Sequence, residues 1–441
     1  MPEEVRVPRG AHKHIGEVDG DLIVYDATVR AATPGGVIKV HGVTECKDDC
    51  RFESSLETTE LRGSSGDILV QGDLKATRMV KLKRGRLEVE GNLVSPKIEV
   101  DKSVDVSGDM DTDQARVGGS ITVEGNAKAT RVDVGGSFKV FSQAEIEEID
   151  VGGSVTIERA AKTGLINVGG SFRGHGPVEA DKIDVGGSVR IEGEADVNEI
   201  DVGGTVKLEG GKAGDIKVGG TLKASRPLNF GNIRVGGSVK ISGGVGEEID
   251  VGGTFKSDGD LEFVNIDVGG TVKIDGNAKG RNIDVGGTVS VNGDLDLSED
   301  LRVGGKAAVD GELRARTVRV GGKVEAFKIE ALDEIATNTL RTRKGAKAEE
   351  IEIGRRGEAE GPLIANRILI RERARVEDVY GGTVVLRRGS RANNVYAERL
   401  TIENDCRITG YVKYTDTLNA DRDARLSMDP EKTEKLPAPP F

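Results

Sequence analysis

The chain has 441 residues, and its 63 glycines, one residue in seven, stand beside 3% aromatics and no Trp. That balance excludes a globular core built on large rings, and 11 prolines exclude a collagen-like or Pro-rich chain. A net charge of −12 argues against a nucleic-acid binder, and three Cys cannot make a disulfide framework.

Residues 1–20 read as a polar N-terminal segment. Met1 to Arg9 lacks the apolar core of a signal peptide, and no run of ~18 apolar residues occurs anywhere. The expected location is therefore the cytoplasm. Scarce Gln, Cys and Met with plentiful Glu, Lys and Arg suggest a thermophilic source. Residues 21–115 read as coils that pass from irregular to regular, with columns that blur between Ala32 and Ser65.

Residues 116–324 carry the clearest signal. Val-Gly-Gly occurs thirteen times from Val117 to Val320, in steps of 16 to 18 residues. That period is too short for a helical-pair repeat or a propeller blade and suits one turn of a β-solenoid. The stretch Ile183 to Val202 shows the turn. Its apolar pairs are Ile183/Val185, Val189/Ile191, Ala195/Val197 and Ile200/Val202. Spacing of two puts both members of a pair on one side of a short strand. Steps of six, six and five between pairs give three strands and three bends, a triangular 17-residue coil. Gly186-Gly187 and Gly193 mark corners, where positive φ or a close backbone approach needs glycine. The third strand is weakest at Lys212-Ala213-Gly214.

Residues 325–420 continue the pattern without Val-Gly-Gly. Around Glu325 to Asn338 the sequence predicts a bulge or short helix, since a strict register would put Glu330 inside. Residues 341–400 hold 14 Lys or Arg against 9 Asp or Glu, a basic segment in an acidic chain. Residues 421–441 read as a disordered tail. The expected fold is thus all-β, a single-stranded parallel β-helix of about 23 coils, roughly 110 Å long at ~4.8 Å per coil.

Short Val/Ile pairs with Gly corners at this period resemble the bactofilins, polymer-forming cytoskeletal proteins. The resemblance covers residues from about 60 to 420 and rests on period and pattern. It implies a right-handed triangular β-helix and self-assembly into filaments. A bactofilin core has far fewer coils, and many bactofilins carry a short apolar membrane anchor that Met1 to Arg9 does not show.

Outward positions form charged columns. One face presents Asp184, Asp201, Asp250, Asp267 and Asp284; the next presents Arg190, Lys207, Lys223, Lys240, Lys256 and Lys273. Like charges one coil apart repel by about 0.9 kcal/mol per pair in water before screening. These ladders keep the protein soluble, or they join rods side by side, acidic face to basic face. For end-to-end growth the expected contacts are Leu22 and Val24 on the first coil and Leu418 and Ala420 on the last.

Chemistry finds little support. Four His in the whole chain argue against hexapeptide acyltransferase chemistry, and His175 reads as a corner residue. His12, His14, His41, Cys46 and Cys50 form a weak zinc candidate, with two ordinary thiols or a disulfide as the other readings of the Cys pair. Val-Gly-Gly-Ser/Thr lacks the Lys and helix of a phosphate loop. The expectation is a non-enzymatic, cofactor-free structural protein whose partner is itself. An acidic protein or a membrane surface is a further candidate for residues 341–400, and nucleic acid is not expected. The alternatives are an adhesin-like surface fibre and a monomeric binding rod.

Overall fold

The computed structural model describes residues 4–441, so Met1–Glu3 of the expected N-terminal segment lie outside the described residues. No helix occurs among them. The chain is an all-β parallel β-solenoid with coils of about 17 residues and about 25 turns. It divides into two compact units, Met1–Ser225 and Arg226–Phe441.

The first unit shows the construction. Strand Val178–Val185 carries Val178 and Ala180, then Ile183 and Val185, all buried. Strand Ser188–Val202 continues with Val189/Ile191, Ala195/Val197 and Ile200/Val202, also buried. Each stacks on its own equivalent in the next coil, as Ile183 on Ile200 and Val185 on Val202. The second unit is built the same way, with Ile249 paired with Ile266 and Ile266 with Ile283. Apolar residues at spacing two therefore fill a narrow interior, and the intervening residues face out.

The Gly-Gly corners do not use positive φ. A methyl group added at Gly186 would lie 2.5 Å from the carbonyl oxygen of Gly169, and in the second unit Gly252 and Gly269 are as close, at 2.6 and 2.7 Å, to the carbonyls of Gly236 and Gly252. The corner backbone is stacked too closely for any side chain. Backbone amides complete it: Gly186 donates to Val168 at 2.9 Å, and Ser188 to Gly170 at 3.2 Å. Glycine also balances large rings. The Phe230 ring fills the space where Gly246 would carry a Cβ, and Phe263 does so at Gly280. Beside Phe255, the buried Ser257 hydroxyl donates to the Gly259 carbonyl at 2.8 Å.

Several expectations are corrected. The N-terminal segment is already coil: Val5–Val7 pairs with Leu22 to Val24, and His12–Ile15 with Thr28 to Ala31. The blurred region is a long coil, because Leu22 stacks on Thr44, 22 positions on. Polar residues occupy its interior. The Thr44 hydroxyl donates to Thr58 at 3.0 Å, and buried Glu60 pairs with Arg62 and with Arg78 at 3.2 Å.

No helix interrupts Glu325 to Asn338. Buried pairs fall at Val324/Ala326, Ile329/Ala331 and Ile335/Thr337, inside the strand Glu312–Glu360. A step of five residues, taken one pair earlier than the sequence suggested, turns Glu330 outward and leaves Leu332 exposed. Beyond 420, Arg425–Leu426 and Glu431–Lys432 add strands to the last coils, so that segment is not wholly irregular. The weak third strand at Lys212 to Gly214 shows a register shift after Ile191 and φ of +112° at Gly211.

Two substitutions test this account by urea unfolding. Gly186→Ala should destabilise by about 1–3 kcal/mol, because backbone must shift to admit the methyl group. Ile191→Asp buries an unpaired charge and should cost several kcal/mol. The exposed Arg190→Ser, which gives up an ion pair to Glu192, should cost about 1 kcal/mol or less.

Candidate functional site: coil edges and charged ladders

An enzyme-like cluster is not assembled from the sequence candidates. Cys46 and Cys50 are buried free thiols beside one another; burial pushes the Cys46 thiol up, and Cys50 donates to the Val24 carbonyl at 3.5 Å. His12 and His14 are exposed on the first coil, while His41 sits outside, 2.8 Å from Glu17. The five are therefore divided between interior and surface, and no group of three or more metal-binding side chains occurs among the described residues. His175 bridges two coils at a corner, 2.7 Å from Glu192 and 3.7 Å from Glu158.

The basic ladder is not a bare row of like charges. Corner residues two positions further along the chain supply carboxylates. Asp258 lies 2.8 Å from Lys240 and 2.5 Å from Lys256, and Asp275 lies 3.2 Å from Lys256 and 2.9 Å from Lys273. These contacts hold both carboxyls below their ordinary range and Lys256 above its own. Arg190 likewise meets Glu192 at 2.6 Å. Lys207 and Lys223 stack in register with Arg190, and Glu209 stands at the equivalent corner. The basic column Lys240, Lys256 and Lys273 is thus substantially neutralised by its own corner column.

The third face of the first unit holds a ladder that the sequence reading missed. Asp111, Lys128, Glu145, Lys162 and Glu179 stack in register with alternating sign. The signal was legible as a sign change at each 17-residue step. Lys162 and Glu179 meet at 3.0 Å. Such a face satisfies itself.

The Asp ladder differs. Asp184 pairs in register with Asp201, and Asp250 with Asp267 and Asp284. Burial and the two neighbouring carboxylates raise the Asp267 carboxyl above its ordinary value. In the basic segment many cations are matched: Arg341 meets Glu360 at 2.9 Å, Arg371 meets Glu352 at 2.5 Å and Arg387 meets Glu403 at 2.5 Å.

The coil ends carry the other candidates. Leu22 and Val24 are fully buried, because Val5–Val7 lies over them as an earlier coil. They are not the open edge; the outer strands are Val5–Val7, His12–Ile15 and Glu17–Val18. Among the described residues, each pairs with a later strand and with no earlier one. At the other end, Leu418 and Ala420 do belong to a terminal strand, Val412–Ala420, paired with Leu400 and Ile402 on one side. Leu418 is half-buried and Ala420 exposed, while Met428 is 44% exposed. Glu431–Lys432 covers only Lys413 and Tyr414 of that strand. The chain matches no protein-family model, no curated protein and no solved structure.

One titration isolates the ion pairs between coils. Lys81 and Lys97, at 2.6 and 2.5 Å, lower the Glu99 carboxyl from 4.5 to about 2. A lowered carboxyl stabilises the fold above its unfolded value and loses that contribution as pH falls. The stability gap between wild type and Glu99→Gln should hold from neutral pH to about 4.5, then close as pH approaches 2.

Proposed function

We propose that this chain is a structural protein that associates with itself end to end, coil on coil, as a bactofilin-like cytoskeletal or scaffold element. The observation that carries this reading is the open terminal coil. Leu418 and Ala420 continue the column of Leu400 and Ile402 into solvent, and among the described residues strand Val412–Ala420 has no strand against the outer side of Thr417 to Ala420. An exposed β-edge with an apolar column behind it is a template for another strand. The first coil offers the complement: outer strands Val5–Val7, His12–Ile15 and Glu17–Val18, with Val7, Ile15 and Val18 buried beneath.

This reading treats the protein as non-enzymatic, with a second copy as its partner. A cytoplasmic location rests on the sequence; no helix among the described residues is long and apolar enough to cross a membrane. The right hand of the coil is taken from the bactofilin resemblance.

Coil-on-coil growth uses backbone pairing and apolar contact, so it should survive high salt. Negative-stain microscopy of the purified protein should show filaments at low salt and at ~1 M salt, where the Debye length is ~3 Å. Leu418→Lys places a charge on the half-buried terminal column and should stop elongation while leaving thermal unfolding nearly unchanged. A wild type that stays monomeric at high micromolar concentration in both salts would overturn the reading and favour a rod that binds a different partner.

A further inference from the structure

In the unit Arg226–Phe441, Arg375, Arg391, Arg407 and Arg425 stack in register, one coil apart, on the second face of the coil. All four are exposed. Arg375 has Glu358 at 3.7 Å on the preceding coil. Among the described residues no ion pair engages Arg391, Arg407 or Arg425; the nearby Glu403 is taken by Arg387. The reason is visible in the corner column. Where Lys240, Lys256 and Lys273 are answered by Asp258 and Asp275, the residues two positions after Arg391, Arg407 and Arg425 are Asn393, Thr409 and Ser427. The neutralising carboxylates have been replaced by uncharged side chains.

The first face of the same unit carries the opposite pattern. Asp250, Asp267 and Asp284 stack in register and are exposed. Arg234 and Arg302 flank them in register. Arg302 turns to Asp300 on its own strand at 2.6 Å, and Arg234 turns to Glu248, a neighbour of Asp250 on the next strand, at 3.9 Å. Three aspartates therefore stand without an ion pair among the described residues.

We propose that the Arg391–Arg407–Arg425 ladder is a docking surface for a second copy of this chain, which it holds by that copy's Asp250–Asp267–Asp284 ladder. Both ladders climb one coil per step, ~4.8 Å, so three guanidinium groups meet three carboxylates one to one without distortion of either backbone. Arginine suits the role, because its fork engages a carboxylate through two hydrogen bonds. The contact joins the second face of one copy to the first face of another. Each copy keeps its other ladder free, and the association propagates sideways. An anionic membrane or a nucleic acid is the poorer fit, since either must also approach a chain of net charge −12. The inference takes its partner from the self-association reading but concerns the sides of the coil stack, not its ends.

The test uses the full chain in a Leu418→Lys background, so that side-by-side contact is read without end-to-end growth. One variant carries Arg391→Glu, Arg407→Glu and Arg425→Glu; the other carries Asp250→Lys, Asp267→Lys and Asp284→Lys. Exposed positions should leave circular dichroism unchanged. Sedimentation velocity should show association of the parent protein at low salt, weakened at least tenfold at ~1 M salt. Each variant alone should stay dispersed, and a one-to-one mixture should associate again, since reversed ladders complement each other. Association of either variant alone to the parent's extent, or a mixture that stays dispersed, overturns the proposal. So does a parent that binds phosphatidylserine vesicles through the arginines but not itself. A protein with Leu418 intact that forms no filaments while the lateral contact is retained would overturn only the end-to-end reading.

Discussion

Backbone pairing between successive coils sets a rise of ~4.8 Å per turn, and each position in a coil then lies on its own equivalent in the next. Every residue type chosen for a position is thereby tested against itself. Glycine at the corners passes because two carbonyl-lined turns can stack with nothing between them, as Gly169 and Gly186 do. Aliphatic residues pass because Ile183 stacks on Ile200 with both side chains fully buried in the interior. A bulky ring passes only where the neighbouring coil gives way, as Gly246 does for Phe230 and Gly280 for Phe263.

Charge fails the same test unless it is compensated, and the molecule compensates in two ways. Asp111, Lys128, Glu145, Lys162 and Glu179 alternate in sign up one face. Lys240, Lys256 and Lys273 repeat one sign but interleave with Asp258 and Asp275 from the adjoining corner. Against these two solutions, the uncompensated rows at Asp250 to Asp284 and Arg391 to Arg425 are departures from the molecule's own habit. A row that costs stability within the chain is a reasonable place to look for a contact outside it.

Much of the fold was legible because a repeat displays the same physical choice many times. The three apolar pairs of Ile183 to Val197 and their glycine corners could be read directly, since period two and period 17 reinforce each other. Reading failed where one coil departs from its neighbours. The 22-residue step from Leu22 to Thr44 hides its columns, and Thr44, Thr58 and Glu60 at interior positions look like surface until their mutual contacts are seen. Leu22 looked like the first coil because Val5–Val7 is a single short strand with few apolar residues around it. On the charged faces the outward columns were legible but their neutralisation was not. Asp258 and Asp275 stand at a corner, outside the outward columns that were counted, although spacing of two puts each on the same side as the lysine before it.

Coil length is the quantity the corners leave loose. Strands stay paired while the step between equivalent residues runs from 16 at Val202 to Val218, through 17 at Val185 to Val202, to 22 at Leu22 to Thr44. A gained or lost residue is absorbed at one bend, and the next coil resumes the column. Gain or loss of a whole coil disturbs only the junction where it occurs, since each coil touches mainly its two neighbours. Heredity can therefore act on such a chain as on a tape measure. Unequal recombination between near-identical Val-Gly-Gly segments would alter the number of turns in whole steps, and descendants of one ancestor could differ widely in length while keeping the same cross-section.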